Sequence, residues 1–144
     1  MQKTLQSYSG HALALLRVIT ALLFIEHATM KFFGFPAPIP GMTGPLPPLF
    51  LAGGIIELVA GGLILIGLFT RFAAFVASGE MAVAYFMMHA SQSFWPGINM
   101  GEAAILFCFI FLYLVVSGPG SLSIDEMVGR RKLPESEPER PTAV

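Results

Sequence analysis

Six side chains that can carry charge or exchange protons, Glu26, His27, Lys31, Glu57, His89 and Glu102, sit inside or at the ends of long apolar stretches. A charge in the middle of a bilayer costs roughly 2.5–3.5 kcal/mol on insertion scales, so such residues are rare without a purpose. One lysine cannot neutralise three carboxylates, and some of these groups are expected to hold or share protons. Carboxylates beside histidines under an apolar cover suit a lipophilic molecule that exchanges protons. A quinone has that chemistry: its carbonyls need hydrogen-bond donors and its reduction takes up protons. In this reading Glu57 and Glu26 handle protons, His27 and His89 bond the carbonyls and Lys31 tunes the charge. The structural alternative makes the same residues ion pairs that fix helix register, Lys31 with Glu102 or Glu57, and, deeper, Arg17 with Glu80 near Arg71.

Other chemistry has weaker support. His27 and His89 could be axial haem ligands, but two membrane histidines are a slight signal and His89 lies near a span end. Met87-Met88 reads as packing, because no further Met, Cys or His spacing follows it to make a metal site. Cys108 stands alone, so neither an internal disulfide nor a two-cysteine redox motif is available, and it reads as a small core residue. The formal net charge of −1 includes no basic face to neutralise phosphates, which sets nucleic acid aside as a partner.

The elements that must position these residues are membrane helices. Of the 144 residues, 55% are hydrophobic and 12% charged, with a mean hydropathy of +0.73. An ordinary soluble domain carries roughly 25% charge. A helical span needs about 20 apolar residues. Residues 12–35, 49–69, 72–90 and 100–117 meet that need, and each run is too long and too continuously apolar for a barrel strand. The first run holds Glu26, His27 and Lys31, unlike the short uncharged core of a cleaved signal, and reads as a retained span.

The expected fold is thus all-α, a polytopic bundle of four transmembrane helices over residues 1–120. The basic residues Lys3, Arg17, Arg71, Arg130, Arg131 and Lys132 gather on one side of such a bundle, which places both termini in the cytoplasm. Residues 36–48, rich in Pro and Gly, cannot continue a helix and are apolar enough to cap the far side. Phe94 and Trp95 in the third connection suit the headgroup belt. Ser123 and Glu126 have capping-box spacing, which predicts a short interfacial helix over 123–131. Residues 133–144 read as a disordered tail.

Helical geometry sorts the charges by face and depth. Arg17, Thr20, His27, Lys31 and Gly34 share one sector of the first span, while Glu26 points elsewhere. Glu57 is flanked by Gly53, Gly54, Ala60 and Gly61, and Glu80 by Ala73, Ala77 and Ala84, small residues that let helices approach closely. By depth, Glu26, His27, Glu57, His89 and Glu102 are expected in the outer half, and Arg17, Arg71 and Glu80 in the inner half.

The chain also resembles the DoxX family of small membrane proteins, from Leu15 to Asp125. The resemblance is carried by LRVITALLFIEHATMKFFGF, by GGIIELVAGGLILIGLFTRFAA and by the closing GPGSLSID. Glu57, Gly61, Gly62, Gly67 and Thr70-Arg71 are its most diagnostic positions. It implies a four-helix protein of a bacterial inner membrane, often connected with redox metabolism, with relatives in a thiosulfate:quinone oxidoreductase and in oxidant-defence complexes. Lacking a cysteine pair, a thiol-transfer version would need a redox partner protein. The functional expectation is a membrane component of an oxidoreductase system that binds a quinone-like ligand. The alternatives are a scaffold that docks a partner through residues 123–144 and a small transporter. Against the transporter, no span is broken at mid-membrane, and four helices leave little lumen unless the protein forms a homo-oligomer.

Overall fold

A computed structural model describes residues 6–131. Lys3, Lys132 and the tail at 133–144 lie outside the described residues. Within them the chain is helical, with no strand. The helices are α1 (Ser9–Phe33), α2 (Pro48–Ile66), α3 (Thr70–Ala84), the short α4 (Pro96–Asn99), α5 (Glu102–Ser117) and α6 (Ile124–Arg131). A π-turn, Tyr85–His89, extends α3.

Three of these are long and apolar enough to cross a membrane: Ser9–Phe33, Pro48–Ile66 and α3 with its π-turn, Thr70–His89. The fourth expected span is α5, equally apolar in character but only 16 residues long. It is shorter than expected because Met100 takes a left-handed conformation at φ 59° and the helix begins only at Glu102.

The boundaries follow local chemistry. Gly34 ends α1 in the left-handed region, at φ 63°, where a Cβ would be strained. Pro48 opens α2 at a position where its missing N–H goes unused. Its other end closes at Gly67 with two bonds, from Gly67 N–H to the Ile64 carbonyl and from Leu68 N–H to the Leu63 carbonyl. The Ser123 cap forms as its spacing predicts: Ser123 Oγ accepts from Glu126 N–H at 3.2 Å.

α1 lies along α2 and α3 lies along α5, with α2 against α3 joining the two pairs. The closest approach of α1 to α2 occurs at buried glycines. A Cβ on Gly61 would stand 2.7 Å from Ile25 Cγ1, and one on Gly54 would stand 2.7 Å from Phe32 Cζ. On α3 the small face Ala73, Ala74, Ala77 and Ser78 is buried against its neighbours. The core between the pairs is aromatic: Phe24 meets Phe111 edge-on at 4.8 Å, and Phe107 stacks on Phe111 at 5.9 Å. Many large apolar side chains on the outer faces, such as Leu15, Val59, Phe75 and Phe109, are exposed, as helices in contact with lipid require.

Candidate functional site: a polar cavity at the Lys31 end of the bundle

The intramembrane charges divide between the two ends of the bundle. At one end, Lys31 of α1 meets Glu57 of α2, with Nζ 2.5 Å from Oε1. Gly53 is the reason a third charge joins them. With no side chain at that position, Glu80 Oε1 and Lys31 Nζ come to 3.2 and 3.6 Å from the point where a Cβ would stand. Two carboxylates and one ammonium therefore meet where α1, α2 and α3 converge. One oxygen on each carboxylate, Oε2 of Glu57 and of Glu80, is buried without a hydrogen-bond partner. A buried acceptor left unmade costs about 1–3 kcal/mol, so this cluster is set up to take a donor or a proton.

This placement of Glu80 corrects the depth expected for it. It does not pair with Arg17 in an inner layer but joins Lys31 and Glu57. The Arg17 guanidinium is occupied elsewhere, at the opposite end. It is 1% exposed and donates to the carbonyls of Ile64 (2.7 Å), Leu65 (2.6 Å), Pro119 (2.8 Å) and Leu122 (3.0 Å). The last carbonyls of a helix have no partners within it, and they carry the negative end of its dipole. Arg71 does the same for α5, donating to Val115 and Val116. Both arginines bind backbone carbonyls rather than Glu80.

The Lys31 end also holds a cavity of about 730 Å³. His27 and Lys31 line it from α1, Glu57 from α2, Glu80 and Met81 from α3, and Phe107 from α5. The Pro-rich connection covers it with Ile39, Pro40, Gly41 and Met42. His27 lies edge-on to Phe107 at 5.8 Å. His89 stacks on Tyr85, and its Nδ1 lies 2.9 Å from the Asn99 carbonyl. Tyr85 and Asn99 hold this corner: the Tyr85 hydroxyl donates to the Phe94 carbonyl, Asn99 Nδ2 to the Ser93 carbonyl, and Gly101 N–H to Asn99 Oδ1.

Of the six residues singled out in the sequence, four line this cavity: His27, Lys31, Glu57 and His89. Glu80 is a fifth member, moved here from the inner layer. Glu26 and Glu102 do not join it. Glu26 is exposed on another face of α1, and Glu102 is exposed at the first turn of α5, with Oε1 3.6 Å from where a Gly97 Cβ would be. Of the two pairings open to Lys31, the one with Glu57 forms. Tyr85 and Asn99 were missed. The only hint was Asn99 just after the Trp95-Pro96-Gly97 break, where a side-chain amide can hold a turn.

The fold and site together define a helical membrane protein with a covered, partly charged cavity at one end of its bundle. The family profile of DoxX matches residues 12–90, and the chain belongs to the DoxX family. It is 44% identical to an uncharacterized protein of Haemophilus influenzae over 125 residues, covering 84% of this chain and 93% of that one. It is 29% identical to the inner membrane protein YqjF of Escherichia coli, covering 80% of this chain and 90% of the relative. It is 28% identical to an uncharacterized membrane protein, Rv3486, of Mycobacterium tuberculosis, covering 81% and 80% of the two chains. No solved structure matches the chain.

Proposed function

We propose that this protein is a four-span component of a redox system in a bacterial inner membrane, with both termini cytoplasmic, and that it binds a quinone-class molecule in the cavity at the Lys31 end. The carrying observation is the Lys31–Glu57–Glu80 cluster, with its two unpartnered carboxylate oxygens, bordering a covered cavity of about 730 Å³. A quinone carbonyl accepts hydrogen bonds and its reduced hydroxyl donates them. Lys31 and His27 supply donors for the first form, while His89, whose Nδ1–H points at the Asn99 carbonyl, presents Nε2 as an acceptor. The free oxygens of Glu57 and Glu80 supply acceptors for the second. Phe107, Met81 and Met88 give the ring an apolar bed. Electrons come from a redox partner protein, for which the single thiol of this chain is no substitute.

The membrane placement draws on the family and on the inner-membrane relative in Escherichia coli. α5 as a fourth span draws on its contacts with α3. Arg71 meets Val115, Ser78 meets the Cys108 carbonyl, and His89 meets the Asn99 carbonyl, so the two helices run antiparallel side by side.

Native purification followed by extraction of bound lipids tests the reading. The expected result is a copurifying quinone that is lost in Glu57→Gln with the fold intact. A visible spectrum of the same sample reads any haem between His27 and His89. If no quinone binds, Glu57→Gln leaves redox phenotypes unchanged and removal of residues 123–144 abolishes them, the protein is a docking scaffold instead.

A further inference from the structure

A second cavity, of about 400 Å³, lies against the first and is lined by α2 and α3. On α2 it follows Leu49, Ala52, Gly53 and Ile56. On α3 it follows Val76, Gly79, Val83 and Met87. The α3 set is spaced three or four residues apart, and on α2 Leu49, the Ala52-Gly53 pair and Ile56 recur about one turn apart, so each set is one helical face, and the groove between them runs about 16 Å along α3. Leu49, Phe75, Val83 and Met87 on its borders are exposed on membrane-crossing helices, so the groove opens sideways towards lipid. Among the described residues its only charged members are Lys31 and Glu80.

The two cavities share a wall. Lys31, Phe50, Glu80, Ala84 and Met88 line both. Behind that wall sits the unpartnered oxygen of Glu57, whose side chain is 3% exposed. The space is thus apolar where it meets lipid and charged where it meets the inner cavity.

We infer that the α2–α3 groove is a lateral entry and tail-binding site for an amphiphile whose hydrogen-bonding ring reaches Lys31 and Glu80 while its hydrocarbon tail lies between Gly53 and Gly79. This rests on the ligand class proposed above and adds its route and its tail. An occupant without a tail leaves the groove unfilled, and one without a polar head leaves the buried carboxylate oxygens unmet. A second copy of the chain would bring a helix about 10 Å across, too wide to reach between α2 and α3.

Gly79 makes the idea testable, because a Cβ there meets nothing within 4 Å. Gly79→Leu therefore builds a side chain into the groove from an unopposed Cβ position. Gly62, which also has nothing within 4 Å of its Cβ position, lies outside the groove and serves as the control site. The probes are the dimethoxy-methyl-benzoquinone ring alone and the same ring with a decyl chain, titrated against wild type, Gly79→Leu and Gly62→Leu in nanodiscs. Gly79→Leu is expected to weaken the decyl compound by about tenfold, or about 1.4 kcal/mol, with the bare ring unchanged and Gly62→Leu without effect on either. If wild type binds both and Gly79→Leu alters neither, or alters both equally, the lateral groove is refuted and the ligand class stands. If wild type binds neither compound, the ligand class itself falls. Should Gly79→Leu fail to fold, Val83→Trp, at an exposed position on the same border, replaces it in the same comparison.

Discussion

Lys31 and Glu57 face each other across the α1–α2 interface at 2.5 Å, with side chains only 12% and 3% exposed. Desolvating two ions is expensive, and their attraction repays it only while both are present. Removing one partner is therefore worse than removing both. Lys31→Met is expected to destabilise the bundle by about 3–5 kcal/mol, and Lys31→Met with Glu57→Leu by clearly less. Thermal melts of the purified variants measure the difference. A double variant as unstable as the sum of the two singles would mean that the pair does not act as a unit.

The glycines along α2 should separate by what stands opposite them. A Cβ on Gly61 meets Ile25 Cγ1 at 2.7 Å, whereas one on Gly62 meets nothing within 4 Å. Overpacking a tight contact costs about 1–3 kcal/mol. Replacing an unopposed helical glycine with alanine gains about 1 kcal/mol. Gly61→Ala is thus expected to lower the melting temperature and Gly62→Ala to hold or raise it. Equal effects at the two neighbouring positions would contradict the close α1–α2 approach.

Lys31, His27 and Glu57 were legible because charge inside an apolar run is conspicuous, and helical periodicity put Lys31 and His27 on one face. Glu26 and Glu102 are equally conspicuous by composition, yet both are exposed; periodicity already turned Glu26 away from the Lys31 face, whereas depth alone said nothing about which way α5 turns Glu102. Glu80 went to the wrong layer for a related reason. Its partners were inferred from its height in the membrane, whereas the empty side of Gly53 is where its carboxylate and the Lys31 ammonium both approach. The destination of Arg17 could not be read at all. Its partners are backbone carbonyls at 64, 65, 119 and 122, and every residue has one. The three long spans were plain from hydrophobicity, but the late start of α5 depends on a left-handed Met100, a residue type with no preference for that conformation.

The Arg17 clasp gives a prediction of its own. Three of its nitrogens serve four carbonyls from α2 and from the turn before α6, a geometry that needs a planar fork. An ammonium retains the charge but cannot reach all four. Arg17→Lys is expected to lose about 2 kcal/mol and Arg17→Ala about 3 kcal/mol or more, both read from thermal melts and from the yield of folded protein. If Arg17→Lys is neutral, charge alone holds this end together and the fork geometry is incidental.

Asp125 joins the same end from the other direction and makes it sensitive to acid. Its carboxylate accepts from Phe69 N–H and Thr70 N–H, both at 2.9 Å, and so caps the start of α3. Partial burial pushes the Asp125 carboxyl upward. The Thr70 backbone bond, the nearby Thr70 hydroxyl, the Phe69 bond and the Arg17 charge outweigh that and hold it below the ordinary aspartate value. A carboxyl held low when folded binds its proton more readily when unfolded, so its contribution is present above the unfolded value of about 3.9. It is lost as pH falls from there through the lower folded value. Wild type should therefore lose stability in that acid window, and Asp125→Asn should flatten that part of the profile. Asp125→Ala should lower stability at neutral pH by about 1 kcal/mol through the missing cap. Melts between pH 7 and about pH 3 decide it, and an acid profile unchanged by Asp125→Asn would assign the loss to other carboxyls.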